Sequence, residues 1–210
     1  QFFWKGLHNA HWIGKYWSHI PECEEHATCQ ECCVTEDLNH ILTECSCPGQ
    51  EIVWRAAESL WREKEGAWPQ VSLGTILGCR LAVFRDEKGK VRQGTQRLYR
   101  ILMSESAYLI WKLRNQHVIP QAGTPASEEE IKNKWIFTIN QWLQDMILAK
   151  RPCKGKHPAL APHLVTTTWS GTLDNEQSLP ADWIQAPRVL VGSLAFQQMP
   201  HRRNNSRGIG

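Results

Sequence analysis

The chain carries Cys29-Gln30-Glu31-Cys32, then His40 and Cys45, a C-x2-C-x7-H-x4-C array packed into 17 residues. Three thiolates and one imidazole at this spacing are the ligand set of a closed tetrahedral Zn²⁺ site. The C-x2-C pair suits a tight turn whose two sulfurs grip one side of the ion. The run Thr35 to Cys45 (TEDLNHILTEC) reads as a short helix supplying the other two ligands. Residues five apart on an α-helix lie about 140° apart around its axis, so His40 and Cys45 can share an ion only if Cys45 sits on a fraying last turn. Pro48-Gly49 is a suitable stop just beyond.

The competing reading of these cysteines is disulfides or buried thiols. Six of the eight (Cys23, Cys29, Cys32, Cys33, Cys45, Cys47) fall within residues 23–47, with Cys79 and Cys153 elsewhere. A secreted disulfide scaffold is usually shorter and follows a signal peptide, and none is visible. One ion needs four ligands, so Cys23, Cys33, Cys47 and His26 are surplus. Cys33 and Cys47 are the plausible substitutes, because each adjoins or nearly adjoins a preferred ligand. Zinc is favoured over an iron–sulfur cluster, since the set contains a histidine and lacks four spaced cysteines.

A chain of 210 residues is long enough for one domain with a substantial core. It opens on Gln1 and not Met, which is expected of a piece of a longer protein. No apolar run reaches the roughly 18 to 20 residues of a membrane span. A net charge of +3 is too weak to argue for nucleic acid by itself. Eleven tryptophans lie among segments of helical periodicity, so most are expected in the core.

The opening nineteen residues suggest helical turns broken near Gly14. Lys5, His8, His11 and Lys15 interleave there with Trp4, Trp12, Tyr16 and Trp17. That pattern suits stacking on unpaired bases, but an amphipathic helix with its aromatics inside is the favoured reading. Gln50 to Glu65 reads as a helix with Ile52, Val53, Ala56, Ala57, Leu60 and Trp61 on one stripe. Residues 71–84 fit a short helix or a strand equally. Arg85 to Gln93 is a polar turn, followed by a strong helix from about Thr95 to His117 and a loop over Pro120 to Pro125. Ser127 and Glu130 form a capping box opening a helix that ends near Lys150, with Lys150 and Arg151 complementing its dipole.

From Pro152 the pattern decays, leaving two islands, Leu164–Leu173 and Trp183–Leu194. The second contains Val189-Leu190-Val191, a short strand or docking segment. Met199 to Gly210, with Arg202, Arg203 and Arg207, is expected to be disordered. The expected fold is mainly α: a small domain of four or five helices around a Trp-rich core, with the zinc knuckle on its N-terminal side and a poorly ordered tail. Its regions are 1–65 (zinc-binding module), 66–150 (helical) and 151–210 (Pro-rich, partly disordered).

Phe2-Phe3-Trp4, Cys29-x2-Cys32, Thr35-Glu36, His40-Ile41-Leu42, Cys45 and Trp54 together resemble the zinc-binding module of reverse transcriptases from non-LTR (LINE-type) retrotransposons. That module has an aromatic FxW-like opening, C-x2-C, an acidic pair, His followed by two aliphatics, a last Cys and then a Trp. Ser104 to Asn115, Thr168 to Leu173 and Leu190-Val191-Gly192 are similar to the downstream region of fungal elements. The specific motif covers about residues 2–54. The departure is Cys33, where a Gly is more usual.

The resemblance implies a structural zinc and a role in holding the RNA template or the target DNA. It also implies upstream polymerase and RNase H domains in an RNA-directed DNA polymerase, and an intracellular setting, nuclear or cytoplasmic. The chain itself shows no Tyr/Phe-x-Asp-Asp signature and no set of four carboxylates fit for RNase H, so it is not expected to be an enzyme. A closed four-ligand site has no position for an activated water. A thiol nucleophile at Cys79 or Cys153 with His157 or His163 finds no support in the spacing.

For nucleic-acid contact the residues offer Arg85, Lys88, Lys90, Arg92, Arg97 and Arg100, against Asp86 and Glu87. A basic loop leading into a helix can contact phosphates, and a solvated turn is the alternative. Partners are thus expected to be RNA or DNA and no membrane. The alternative function is a zinc-stapled protein-interaction module, or a degenerate retroelement remnant without nucleic-acid affinity.

Overall fold

A computed structural model describes residues 1–118, 126–149 and 160–192. The loop over 120–125, Lys150 and Arg151, Cys153, His157 and the segment from Met199 lie outside the described residues. The architecture is mainly helical. The described residues hold three isolated β-bridges and no strand of a sheet.

Among the described residues the α-helices are α1 (Phe2–Leu7), α2 (Gln50–Glu65), α3 (Leu73–Leu77), α4 (Gln93–Val118), α5 (Glu128–Ala149) and α6 (Pro162–Trp169). The 26-residue α4 is the central beam, packed against α2, α5 and α6. Its Leu98, Leu102, Met103 and Ala107 are fully buried. The apolar stripe of α2 faces it through Val53, Ala56, Ala57, Leu60 and Trp61. Ile131, Trp135, Ile139 and Leu143, four residues apart along α5, present one buried ridge. Trp135 donates its indole N–H to Ser106 Oγ of α4 at 2.9 Å, which satisfies both polar groups inside the core.

The ambiguous stretch 71–84 resolves as α3 and a 3₁₀ turn, Cys79–Leu81. Ser72 and Thr75 decide it: the Ser72 side chain accepts from the Thr75 N–H, and Thr75 Oγ1 accepts from the Ser72 N–H. This reciprocal cap gives a five-residue helix a definite start. Ser127 caps α5 as expected, accepting from the Glu130 N–H at 3.2 Å.

The two islands of the C-terminal region, described as far as Gly192, contribute core elements. α6 starts with Pro162 in its first turn, where a missing N–H costs nothing, and buries Val165 and Trp169 completely. Leu173 and Val191 pair in a bridge, Val189 and Val191 are buried, and α5 grips the segment from its side chains. Gln144 donates to the Val189 carbonyl at 2.8 Å, and Asn140 Oδ1 accepts from the Val191 N–H at 2.7 Å. Residues 160–192 therefore share one hydrophobic core with the two preceding regions.

Five tryptophans (Trp54, Trp61, Trp135, Trp169, Trp183) are buried, and Trp68, Trp111 and Trp142 pack against the core. The N-terminal aromatics correct the favoured reading. Trp4 and Trp12 are each 62% exposed and Tyr16 is 43% exposed. The cause is local: the chain turns at Asn9 (φ 48°) and Gly14 (φ 52°), which splits the segment into α1 and a 3₁₀ turn over Gly14–His19. No continuous helix remains to bury a stripe. Gly14 is also obligatory for space, since a Cβ there would sit 1.9 Å from the Glu36 carbonyl oxygen.

Candidate metal centre

Thr28 and Thr35 form an antiparallel bridge, and Cys29 donates its N–H to the Val34 carbonyl at 2.9 Å. Residues 29–34 thus form a tight knuckle, closed by the Cys33 N–H to Cys29 carbonyl bond at 2.8 Å. Cys33 adopts φ 56°. It occupies the left-handed position that a glycine would fill without strain, and its side chain is exposed.

The second half of the array is not an ordinary helix end. The helical turn begins at Leu38 and not Thr35, and His40–Glu44 is a π-turn. The Cys45 N–H bonds to the His40 carbonyl five residues back at 2.8 Å. An i→i+5 turn winds more loosely than an α-helix and brings residues five apart closer to one side, which narrows the angular mismatch. The backbone device that lets His40 and Cys45 face one point is therefore a π-turn. Asp37 fixes its start by accepting from the His40 N–H at 2.7 Å.

The result is a group able to hold a metal ion: Cys29, Cys32, His40 and Cys45, with their ligand atoms all within 4.8 Å of one another. Sulfurs bound tetrahedrally at about 2.3 Å stand about 3.8 Å apart. Cys29 and Cys45 lie at 3.7 Å, and Cys32 and Cys45 at 4.0 Å. These separations are far too long for a disulfide. His40 is buried, and its Nε2 has no hydrogen-bond partner, an orphaned polar atom that a bound cation accounts for.

Backbone donors surround the sulfurs. Ser46 N–H points at Cys32 Sγ (3.3 Å) and Cys47 N–H at Cys45 Sγ (3.4 Å), while the N–H groups of Glu31 and Cys32 face Cys29 Sγ. Such donors favour thiolate over thiol and orient the ligands. Opposing them, burial pushes the Cys29 thiol up. The adjacent Cys47 thiol, followed by burial, pushes Cys45 up. Crowded sulfurs are reluctant to ionise together, and a divalent cation bound there would supply the missing charge.

Of the surplus residues, Cys33 lies outside the group, whereas Cys47 Sγ stands 3.9 Å from Cys29 Sγ as a fourth thiol beside it. Cys79 is buried, and burial pushes its thiol up, the opposite of an activated nucleophile.

Two links tie this centre to the helices. The Leu42 carbonyl accepts from the buried Trp54 indole N–H (2.7 Å) and from Gln50 Nε2 (3.1 Å), so α2 caps the π-turn. Glu36 pairs with Arg114 of α4, and their side chains are only 4% and 12% exposed. Glu36→Ala should cost about 3–5 kcal/mol by leaving the guanidinium buried and unpaired. The double variant with Arg114→Met should cost clearly less than the two single changes together; denaturant unfolding of all three variants checks this.

The basic residues differ in exposure and in partners. Arg85, Lys88, Lys90 and Arg92 are exposed, while Arg97 and Arg100 are half-buried on α4. Asp86 Oδ1 accepts from the N–H groups of Lys88 and Lys90 and shapes the turn. Arg92 is held bidentately by Glu65 (2.6 and 3.0 Å), and Arg100 donates to the Arg80 carbonyl. Arg92 and Arg100 thus have structural work that charge counting did not reveal.

No family model matches the chain, and no curated protein or solved structure is significantly similar to it. No helix among the described residues is long and apolar enough to cross a membrane.

Proposed function

We propose that Cys29, Cys32, His40 and Cys45 hold a structural zinc ion, and that the chain is a non-catalytic nucleic-acid-binding module of a non-LTR retrotransposon reverse transcriptase polyprotein. The observation that carries the zinc is the closed Cys₃His group, whose sulfur spacing suits one tetrahedral ion. With four protein ligands, the metal staples the knuckle to the π-turn and leaves no position for a reacting water. The seven described cysteines are all free thiols, so Cys29, Cys32 and Cys45 are available as ligands.

The nucleic-acid half of the reading rests on the motif resemblance, supported by the exposed cations Arg85, Lys88 and Lys90 of the polar turn and by the aromatic N-terminal face. The parent protein's polymerase and RNase H domains would perform the chemistry, while this module engages the RNA template or target DNA. Fluorescence anisotropy against labelled RNA and DNA across a salt series tests it. Three or four phosphate contacts give a slope of log K on log salt of roughly −3. Lys88→Gln should reduce that slope by about 1. A slope near zero would favour a protein-interaction module instead.

A further inference from the structure

We propose that the cleft beside Trp12 receives an unpaired nucleobase of a single-stranded nucleic acid, which deepens the nucleic-acid reading above and rests on it. The cleft has a volume of about 370 Å³ and is walled by the indoles of Trp12, Trp17 and Trp111. Lys5 and Arg114 also line it, and none of its lining residues is a carboxylate. Planar aromatic walls beside cations select a ligand that is flat, π-faced and anionic, which describes a nucleotide.

The surroundings hold the walls in place. The Trp17 indole N–H donates to the Trp12 carbonyl at 2.8 Å. His11 lies against Trp111 with ring centroids 4.4 Å apart, and its ring is bonded to the Phe2 carbonyl oxygen at 3.1 Å, so it serves as wall. The Arg114 charge is offset by Glu36, which leaves Lys5, whose ammonium lies over the Trp12 ring 5.5 Å from its centre, as the cation available to a nucleotide's phosphate. Trp12 is 62% exposed although its backbone is anchored, and Tyr16 stacks parallel to it at 5.4 Å. A base inside a duplex has both faces covered by its neighbours. Only an unpaired base can offer a face to these rings.

The test uses the full chain and fluorescent 12-mers of oligo(dT) and oligo(U), with a 12-base-pair duplex for comparison. Single strands should bind at least tenfold more tightly than duplex. Trp12→Ala should weaken single-strand binding roughly 5- to 150-fold, the range for loss of one stacked base. Trp12→Phe should restore most of it, and Phe137→Ala, an exposed aromatic on α5, should change nothing. Metal content and melting temperature report whether each variant is folded. A nucleoside monophosphate should displace the oligomers only at far higher concentration. Equal binding of duplex, or a Trp12→Ala variant that binds as well as the parent, would overturn the cleft while leaving nucleic-acid binding intact. Displacement by the monophosphate at oligomer-like concentration would overturn the single-strand assignment in favour of a free nucleotide. Failure to bind any nucleic acid would overturn both.

Discussion

Cys45→Ser is expected to take metal content from about one ion per chain to nearly none and to loosen residues 1–60. Cys45 joins three interactions at once: it is 3.7 Å from Cys29 Sγ and 4.0 Å from Cys32 Sγ, and its N–H closes the π-turn. Structural zinc sites contribute on the order of 10–16 kcal/mol in small fingers, as much as the whole stability of an ordinary domain. The knuckle should therefore open outright, with hydrogen exchange accelerating across residues 1–60 more than in α5. Cys79→Ser and Cys33→Ser should both retain the metal, because one thiol is buried in the helical core and the other is exposed outside the group. Equal metal loss in Cys45→Ser and Cys79→Ser would sink the ligand assignment. Acidification should release the ion as protons compete for the thiolates and imidazole.

Gly94→Ala is expected to destabilise the protein by about 3 kcal/mol and lower its melting temperature by roughly 6–12 °C. Helix propensity alone forecasts the reverse, since alanine in an exposed helix gains up to about 1 kcal/mol over glycine. Contact decides the sign. A Cβ at position 94 would lie 2.2 Å from the Thr167 carbonyl oxygen and 2.3 Å from its carbonyl carbon. Those are backbone atoms, so no rotamer change relieves the clash and α6 must move. α6 is held there by Trp169, fully buried, and by Lys64, whose ammonium donates to the carbonyls of Thr167 and Thr168 at the end of the helix. Thermal unfolding reads the result; an unchanged or higher melting temperature would mean that α6 does not seat against α4.

Elements with strong local signals were legible. α2 spans Gln50–Glu65 as its stripe and its flanking glycines indicate, and α5 begins where Ser127 caps it. The four members of the metal group stood out because metal-ligand spacing is a short-range property. What stayed hidden depends on tertiary contact or on rare backbone geometry. The π-turn carries no sequence mark beyond the five-residue interval itself. A glycine-like φ at Cys33 is invisible until the knuckle closes around it. The islands at 164–173 and 183–194 look weak beside proline-rich sequence, yet Asn140 and Gln144 of α5 hold the second of them by hydrogen bonds. Trp12 shows the converse error, because apolar composition suggested burial where two left-handed turns denied the chain a continuous helix.

Metal stoichiometry of the intact chain, measured by native mass spectrometry beside the same chain unfolded with chelator, tests whether Cys29, Cys32, His40 and Cys45 hold zinc. One zinc per chain is expected, released together with the fold of the N-terminal region. A chain that folds without metal, with Cys29, Cys32 and Cys45 all open to alkylation, would contradict it.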